Sequence, residues 1–405
     1  MEKTVCELFA GVGGFRLGLE KASPDWKTVW FSQWEPGKKN QWAHDCYVQH
    51  WGDIDKSTGL DISIVDKWNI PDHNLLVGGF PCQDYSVARP LNGSTGIEGK
   101  KGVLWWQIRD VMRAKEPPFG LFENVDRLLR SPANQRGRDF GVMLACLFDM
   151  GYDVEWRVVN AADYGGPQRR RRTFIFAYKT DTNYAATVAD YYPDQIIRDE
   201  GFFANAFPVA SVDSITSVDL NGKAVFDISD EFSFAFKKSG YMHNGIAYTA
   251  DVEPAYVPPI PLGDILEKDV DEKYYIDDPE KLEKWKYLKG AKKIERTARS
   301  GHKYVFSEGA IAFPDNLDAP ARTMLTSEGS TNRSTHIVED PQTGRIRILT
   351  PVETERIQGF EDNWTNTGMP ERFRYFCMGN ALVVPMVTRM GKVLGPIFDN
   401  ENQGE

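Results

Sequence analysis

The chain lacks the features that would place it in a membrane or export it. None of its apolar runs approaches bilayer-spanning length, and its first residues, MEKTVCELFAG, hold neither an apolar signal core nor a cleavage site. A cytoplasmic protein without membrane contact is therefore expected. Cysteine is sparse: Cys6, Cys46, Cys82, Cys146 and Cys377 are scattered, with no CxxC pair and no Cys/His cluster. That argues against a disulfide framework and against a zinc site, so no metal is expected. Positive charge is also in deficit, with 48 Lys and Arg against 58 Asp and Glu and a net charge of -10. Phosphate contacts come from Lys and Arg, so any surface for nucleic acid must be local. Internal repeats and low-complexity segments are absent too, and a length of 405 residues favours two domains over one core.

What is present centres on Leu75 to Ser86, LLVGGFPCQDYS. Leu75, Leu76 and Val77 read as a buried strand that breaks at Gly78-Gly79 into a loop carrying Pro81 and Cys82. A lone cysteine is usually a small buried hydrophobe. Here it sits in a polar turn at a strand's C-terminal end, where open α/β sheets collect ligands. Upstream, TVCELF, AGVGG and FRLGLEKA read as strand, glycine turn and helix. The turn lacks GxGxxG spacing, which tilts it from a dinucleotide toward a ligand without a diphosphate, such as S-adenosylmethionine. A second strand, Thr28 to Phe31, ends at Gln33-Trp34-Glu35, where an acid can hold a ribose. Asp53 and Asp61 each offer a carboxylate for an adenine amino group.

Leu104 to Lys115 has helical periodicity, and Phe119 to Phe122 reads as a strand delivering Glu123-Asn124-Val125 to the edge that carries Cys82. A further helix through Phe140 and Leu147, a strand from Val154 to Val159, and YGGPQRRRR before the apolar run TFIFAY continue the alternation. Four arginines there are placed to line a cleft, although such runs are commonly solvated. From Lys179 to about Arg322 the βα alternation is lost, and a basic stretch runs from Lys284 through Lys293, Arg296 and Arg299 to Lys303. It is either a solvated helix face or a phosphate-contacting surface. Thr350 with Glu353 forms a capping-box pattern, and MGNALVVPMVTRMGKVLG reads as a closing helix with Pro385 near its start and Gly395 after its end.

Taken together, these motifs resemble the DNA (cytosine-5) methyltransferase family: ELFAGVGGFRLGLE, GGFPCQDYS, LFENV, PQRRRRTFI, RILTPVETERIQGF and MGNALVVP stand in that family's order. The resemblance covers roughly residues 4 to 180 and 320 to 398. It implies an α/β protein: a Rossmann-like, S-adenosylmethionine-dependent methyltransferase domain over 1–180, completed by about 345–405, with a smaller, irregular target-recognition domain over 181–344. It implies Cys82 as nucleophile at cytosine C6, Glu123 at N3 and the exocyclic amine, and Arg170 and Arg172 as anchors of the base and catalytic loop. For the cofactor it implies Phe9, Gly11, Gly13, Gly14, Trp34, Glu35, Asp61, Ile62, Pro81, Leu104 and Asn380. Trp34 preceding Glu35 leaves open which flanks the ribose, and Asp53 competes with Asp61. The final motif reads GNAL where Gly-Asn-Ser is common.

Cytosine C5 and C6 are hidden in a duplex, so such an enzyme must flip the base out. The loop through Gly93, Gly96, Gly99 and Gly102 is expected to act as a lid. The expected partner is double-stranded DNA, bound by a monomer. A cognate restriction endonuclease would belong to the same system without a stable complex. Two readings compete: an RNA cytosine-5 methyltransferase of the same fold, whose Cys-Phe-Thr signature is not seen here, and a DNA-binding relative without catalysis. The glycine spacing makes a NAD-dependent dehydrogenase remote.

Overall fold

The structure, a computed structural model, describes residues 1–80, 104–132, 135–221, 232–297 and 301–401. Strands and helices alternate from the start: β1 (Thr4–Leu8), α1 (Gly14–Ala22), β2 (Lys27–Ser32), α2 (Trp42–Trp51), β3 (Leu75–Gly79), α3 (Leu104–Lys115), β4 (Phe119–Val125), α4 (Arg138–Asp149), β5 (Tyr152–Asn160) and β6 (Arg171–Lys179). In the sheet, β2, β1, β3 and β4 run parallel in that order, β6 lies antiparallel beside β4, and β5 follows. These strands are apolar on both sides because helices cover both faces, and successive residues alternate between two cores. Cys6, Leu8, Leu76 and Phe122 pack with Ile108 of α3 and Met143 of α4. Val5, Val77, Leu121 and Phe176 face the other way, toward Phe15 of α1 and Phe398 of the helix Val384–Asn400.

Two expected element ends move. β4 continues three residues past Phe122, so Glu123, Asn124 and Val125 are ladder residues paired with Phe174, Thr173 and Arg172. Gly395 lies inside the closing helix, which runs on to Asn400 with Pro396 turned to solvent.

The chain divides into two compact units, one of Met1–Tyr164, Arg171–Pro258 and Leu382–Glu405, the other of Gly165–Arg170 and Pro259–Ala381. Residues 181–258, expected in the second domain, therefore group with the first unit. Their strands Ser239–His243, Ile246–Ala250 and Thr216–Asp219 extend the sheet beyond β5 to nine strands. The physical reason is an edge that must be covered. β5 carries Arg157, fully buried, whose guanidinium donates to the carbonyls of Ile197, Phe203 and Phe207. An interior guanidinium is tolerated only with its donors satisfied, and residues from this segment satisfy them.

The second unit holds the helix Pro279–Lys289, a hairpin of Lys292–Thr297 with Lys303–Glu308, the pair Ile337–Glu339 and Ile346–Ile348, and the helices Pro351–Gln358 and Glu371–Asn380. Buried ion pairs hold it together. Arg347 donates to Asp340 at 2.8 Å and to both oxygens of Glu353 at 2.9 and 2.7 Å. Glu353 also accepts from Thr350 N at 2.8 Å, closing the capping box read from the sequence. Removing one partner of such a network strands the others in a medium that cannot solvate them. Arg347→Met is therefore expected to cost about 3–5 kcal/mol. A urea unfolding curve shifted to lower midpoint checks this, and an unchanged midpoint would contradict it.

Candidate active site

The site is built at the edge of the sheet where β1, β2, β3 and β4 end and the antiparallel β6 begins. At β1 the chain makes its turn through left-handed backbone at Phe9, Gly11 and Gly13, with φ of 55°, 58° and 87°. At Gly13 only a hydrogen fits: a Cβ would lie 2.2 Å from the Trp51 ring. Gly14 then opens α1. The neighbouring strand fastens this turn, because Gln33, at the end of β2, accepts from Gly11 N at 2.7 Å. The sequence motifs assign Gln33 no role. Its position two residues before Glu35 is the available signal.

Beneath the turn lies Glu7, buried, accepting from Tyr47 Oη at 3.0 Å and facing the backbone N–H groups of Phe15 and Arg16. Burial pushes its carboxyl up to about 7, against the lowering pull of Tyr47 and Arg16. Glu35 is likewise pushed up to about 7, by desolvation and then by Asp45 against the opposing Lys38. Among the described residues its Oε2 is buried with no hydrogen-bond partner. A buried acceptor in want of a donor fits a ligand hydroxyl. Trp34 beside it keeps 38% of its surface exposed, a free aromatic face. The Thr58 carbonyl accepts from Gln33 N at 2.9 Å and brings the following loop to the β2 end. In that loop the Thr58 hydroxyl donates to Asp53 at 2.9 Å, and Asp61 accepts from Ser63 N at 2.9 Å. Ile62 is in the core that Phe9 and Leu104 also touch.

The reactive edge is organised by β4 and β6. Glu123 Oε1 lies 2.6 Å from Arg172 Nε, both largely buried. The antiparallel register makes this pair: Glu123 is opposite Phe174, so Arg172, two residues earlier on β6, is its diagonal same-face neighbour. The β3 side is shaped to admit the carboxylate, since a Cβ on Gly79 would come within 3.1 Å of Glu123 Oε2. Asn124 points to the opposite face, where it is buried and donates to Phe80 O at 3.0 Å while accepting from Val125 N at 2.8 Å. It thus ties β4 to the residue before Pro81. The sequence offers Asn124 only as the middle of a motif.

Other expected residues stand differently. Pro81 and Cys82, with the glycines expected as a lid, lie outside the described residues. Arg170, expected to anchor the base, is buried in the second unit and donates to Met324 O at 3.0 Å and Gly379 O at 2.9 Å. Alternation along the backbone separates it from its immediate neighbours, Arg169 and Arg171, which are exposed; Arg172 is half-buried. Asn380 ends the helix Glu371–Asn380 and also belongs to the second unit. Among the described residues no group of His, Cys, Asp and Glu forms a metal site, and no single helix is long and apolar enough to cross a membrane.

A family model described as C-5 cytosine-specific DNA methylase matches residues 3–395. Type II methyltransferase M.Sau3AI of Staphylococcus aureus is 51% identical over 399 residues, covering 97% of this chain and 95% of that one. Type II methyltransferase M.SsoII of Shigella sonnei is 24% identical over 97% of this chain and 80% of its own. Among solved structures, the S. pombe Dnmt2 methyltransferase superposes with a TM-score of 0.59 at 16% identity, over 97% of this chain and 98% of that one. The Entamoeba histolytica methyltransferase EhMeth gives 0.58 at 15% identity over 99% of both chains. At these identities the superpositions establish the fold, the Rossmann-like methyltransferase fold expected from the sequence.

Glu7 and Glu35 make the protein's stability depend on pH when no ligand is bound. Each carboxyl rises from 4.5 in the unfolded chain to about 7 in the folded one, so the folded state binds more protons between those values. Their stabilising contribution is complete below pH 4.5 and is lost as the pH rises through about 7. Thermal melts across this range should decline with pH, and Glu7→Gln with Glu35→Gln should flatten the decline. An equally steep decline in the double variant would refute the assignment.

Proposed function

The chain belongs to the C-5 cytosine-specific DNA methylase family, and from that premise we propose that Cys82, Glu123 and Arg172 carry the chemistry of methylation. It is a DNA (cytosine-5-)-methyltransferase. The observation that supports the residue assignment is the Glu123–Arg172 pair on the sheet edge, beside a strand whose outgoing backbone Asn124 holds at Phe80. An aromatic cytosine is a poor carbon nucleophile. Attack by Cys82 Sγ at C6 forms an S–C6 bond and moves an electron pair through the ring toward C5. Glu123 holds or protonates N3 and accepts from the exocyclic amine, so that a proton at N3 offsets the negative charge that develops as aromaticity is lost and the two contacts recognise the base as cytosine. Arg172 orients that carboxylate and opposes charge on the ring. After C5 has gained its methyl group, solvent water takes the C5 proton, the C5–H electron pair re-forms the C5–C6 double bond, the S–C6 bond breaks and Cys82 leaves as thiolate.

S-adenosylmethionine, the methyl donor of this family, supplies an electrophilic methyl group and a neutral thioether leaving group. The chain's own residues suit it. The turn at Gly11, Gly13 and Gly14 lets backbone approach a ligand, Glu35 offers an unpartnered acceptor for ribose hydroxyls and Trp34 an exposed ring. Phe9, Asp61, Ile62, Pro81, Leu104 and Asn380 complete the proposed set, and Asp61 is preferred over Asp53 for its distance before the Pro81-Cys82 motif. Arg170 is assigned a positioning role, holding the carbonyls of Met324 and Gly379.

The biological reading is sequence-specific modification of duplex DNA in the cytoplasm by a monomer. Its Type II relatives favour a restriction-modification role, in which a cognate endonuclease cuts unmodified sites. Bisulfite sequencing of DNA from cells expressing the protein should show 5-methylcytosine at one recurrent sequence. Cys82→Ala should show none, and Glu123→Gln should lower the rate by about 10²–10³-fold. Methylation of tRNA with none in duplex DNA would sink this reading.

A further inference from the structure

We infer that the two-stranded ribbon of Lys292–Thr297 and Lys303–Glu308 is the element that enters a groove of duplex DNA, with Lys293 and Lys303 on phosphates and Arg296 at a base edge. The inference deepens the proposed function and rests on its reading of duplex DNA as substrate. The structure divides the basic stretch into two parts of different character. Toward the helix, three of the cations are engaged, Lys286 with Glu283 at 2.7 Å, Lys289 with Asp315 at 3.3 Å and Lys292 with Glu308 at 3.7 Å, while Lys284 is exposed on the helix surface. Among the described residues, Lys293, Arg296 and Lys303 make no ion pair and no side-chain hydrogen bond, and all three are exposed. This part of the surface carries three cations against one exposed carboxylate, Glu295, and so a net positive charge in a chain of net charge -10.

Its shape is equally informative. At the base, Lys292, Ile294, Phe306 and Glu308 are half-buried, so one face of the hairpin rests on its unit. Farther out, the paired residues Glu295 and Val305, Arg296 and Tyr304, and Thr297 and Lys303 are all exposed, so neither face is covered. A lone two-stranded hairpin is marginal in water, and leaving Tyr304 and Val305 at 42% and 60% exposure weakens it further. A projecting, twisted, basic ribbon of two strands has the cross-section that the major groove admits. The Arg296 guanidinium lies over the Phe306 ring, 3.9 Å from its centroid, which restrains the side chain, and its donors meet no acceptor among the described residues. A restrained guanidinium with a free donor fork matches the O6 and N7 acceptors of guanine.

The test uses the full chain and fluorescent duplexes containing the methylated sequence. Lys293→Ala with Lys303→Ala should weaken duplex binding and reduce the slope of log K against log salt by about 0.9 for each phosphate that is no longer neutralised. Binding of S-adenosylmethionine should be unchanged, which separates this effect from misfolding. Arg296→Ala should relax discrimination at one base pair by about 10–100-fold while methylation of the relaxed sites continues. An unchanged salt slope and an unchanged methylation pattern in the variants, with an active wild-type enzyme, would overturn the ribbon and leave the enzymatic reading standing. A wild-type protein that transfers no methyl group to DNA would overturn the enzymatic reading, while ribbon-dependent duplex binding would still decide the inference.

Discussion

The antiparallel placement of β6 beside β4 is the constraint on which the reactive edge depends. Four parallel strands deliver their C-terminal ends to one edge of the sheet, but β6 runs the other way and so presents its first residues there. That reversal sets Arg172 diagonally across from Glu123, 2.6 Å away, instead of at the far edge. The same pairing explains why Gly79 stands on β3, where a methyl group would press on the Glu123 oxygen. Asn124, one residue on, uses the opposite face of the strand to hold Phe80. One dipeptide thus pairs with Arg172 on one side of the sheet and with the Phe80 carbonyl on the other.

The cofactor end follows a second rule, that buried acids are tolerated when a ligand or a helix start uses them. Glu7 and Glu35 are both pushed up to about 7 by burial. Glu7 directs its acceptors at Tyr47 and the first turn of α1, which makes it a support for the glycine turn. Glu35 keeps an oxygen with no donor among the described residues, an arrangement that a structural role does not explain and a ribose would.

Much of this is legible in the residues. Alternation of apolar strands and helical periodicity locates β1 to β6 and α1, α3 and α4, because burial on both faces leaves an unmistakable apolar run. The motifs single out Glu123 and Arg172, and the structure brings the two side chains together. Three things are hidden. The strands between Thr216 and Ala250 are short and mixed in polarity, and only the uncovered edge of β5 explains why they join the sheet. Arg170 and Arg172 look equivalent in a run of four arginines and would share a face of an extended backbone, but Arg170 precedes β6 and donates to the carbonyls of Met324 and Gly379, whereas Arg172 lies on β6 and meets Glu123. Gln33 and Asn124 act through single hydrogen bonds to distant backbone, which no local pattern encodes.

The central claim is that the edge bearing Glu123 and Arg172 serves a nucleophile supplied by the loop after β3. Incubating the protein with S-adenosylmethionine and a duplex carrying 5-fluorocytosine at the methylated position, then mapping the trapped peptide by mass spectrometry, tests it most directly. The account predicts one cross-linked peptide, containing Cys82 and lost in Cys82→Ala. A cross-link at Cys6, Cys46, Cys146 or Cys377, or methylation that persists in Cys82→Ala, would contradict it.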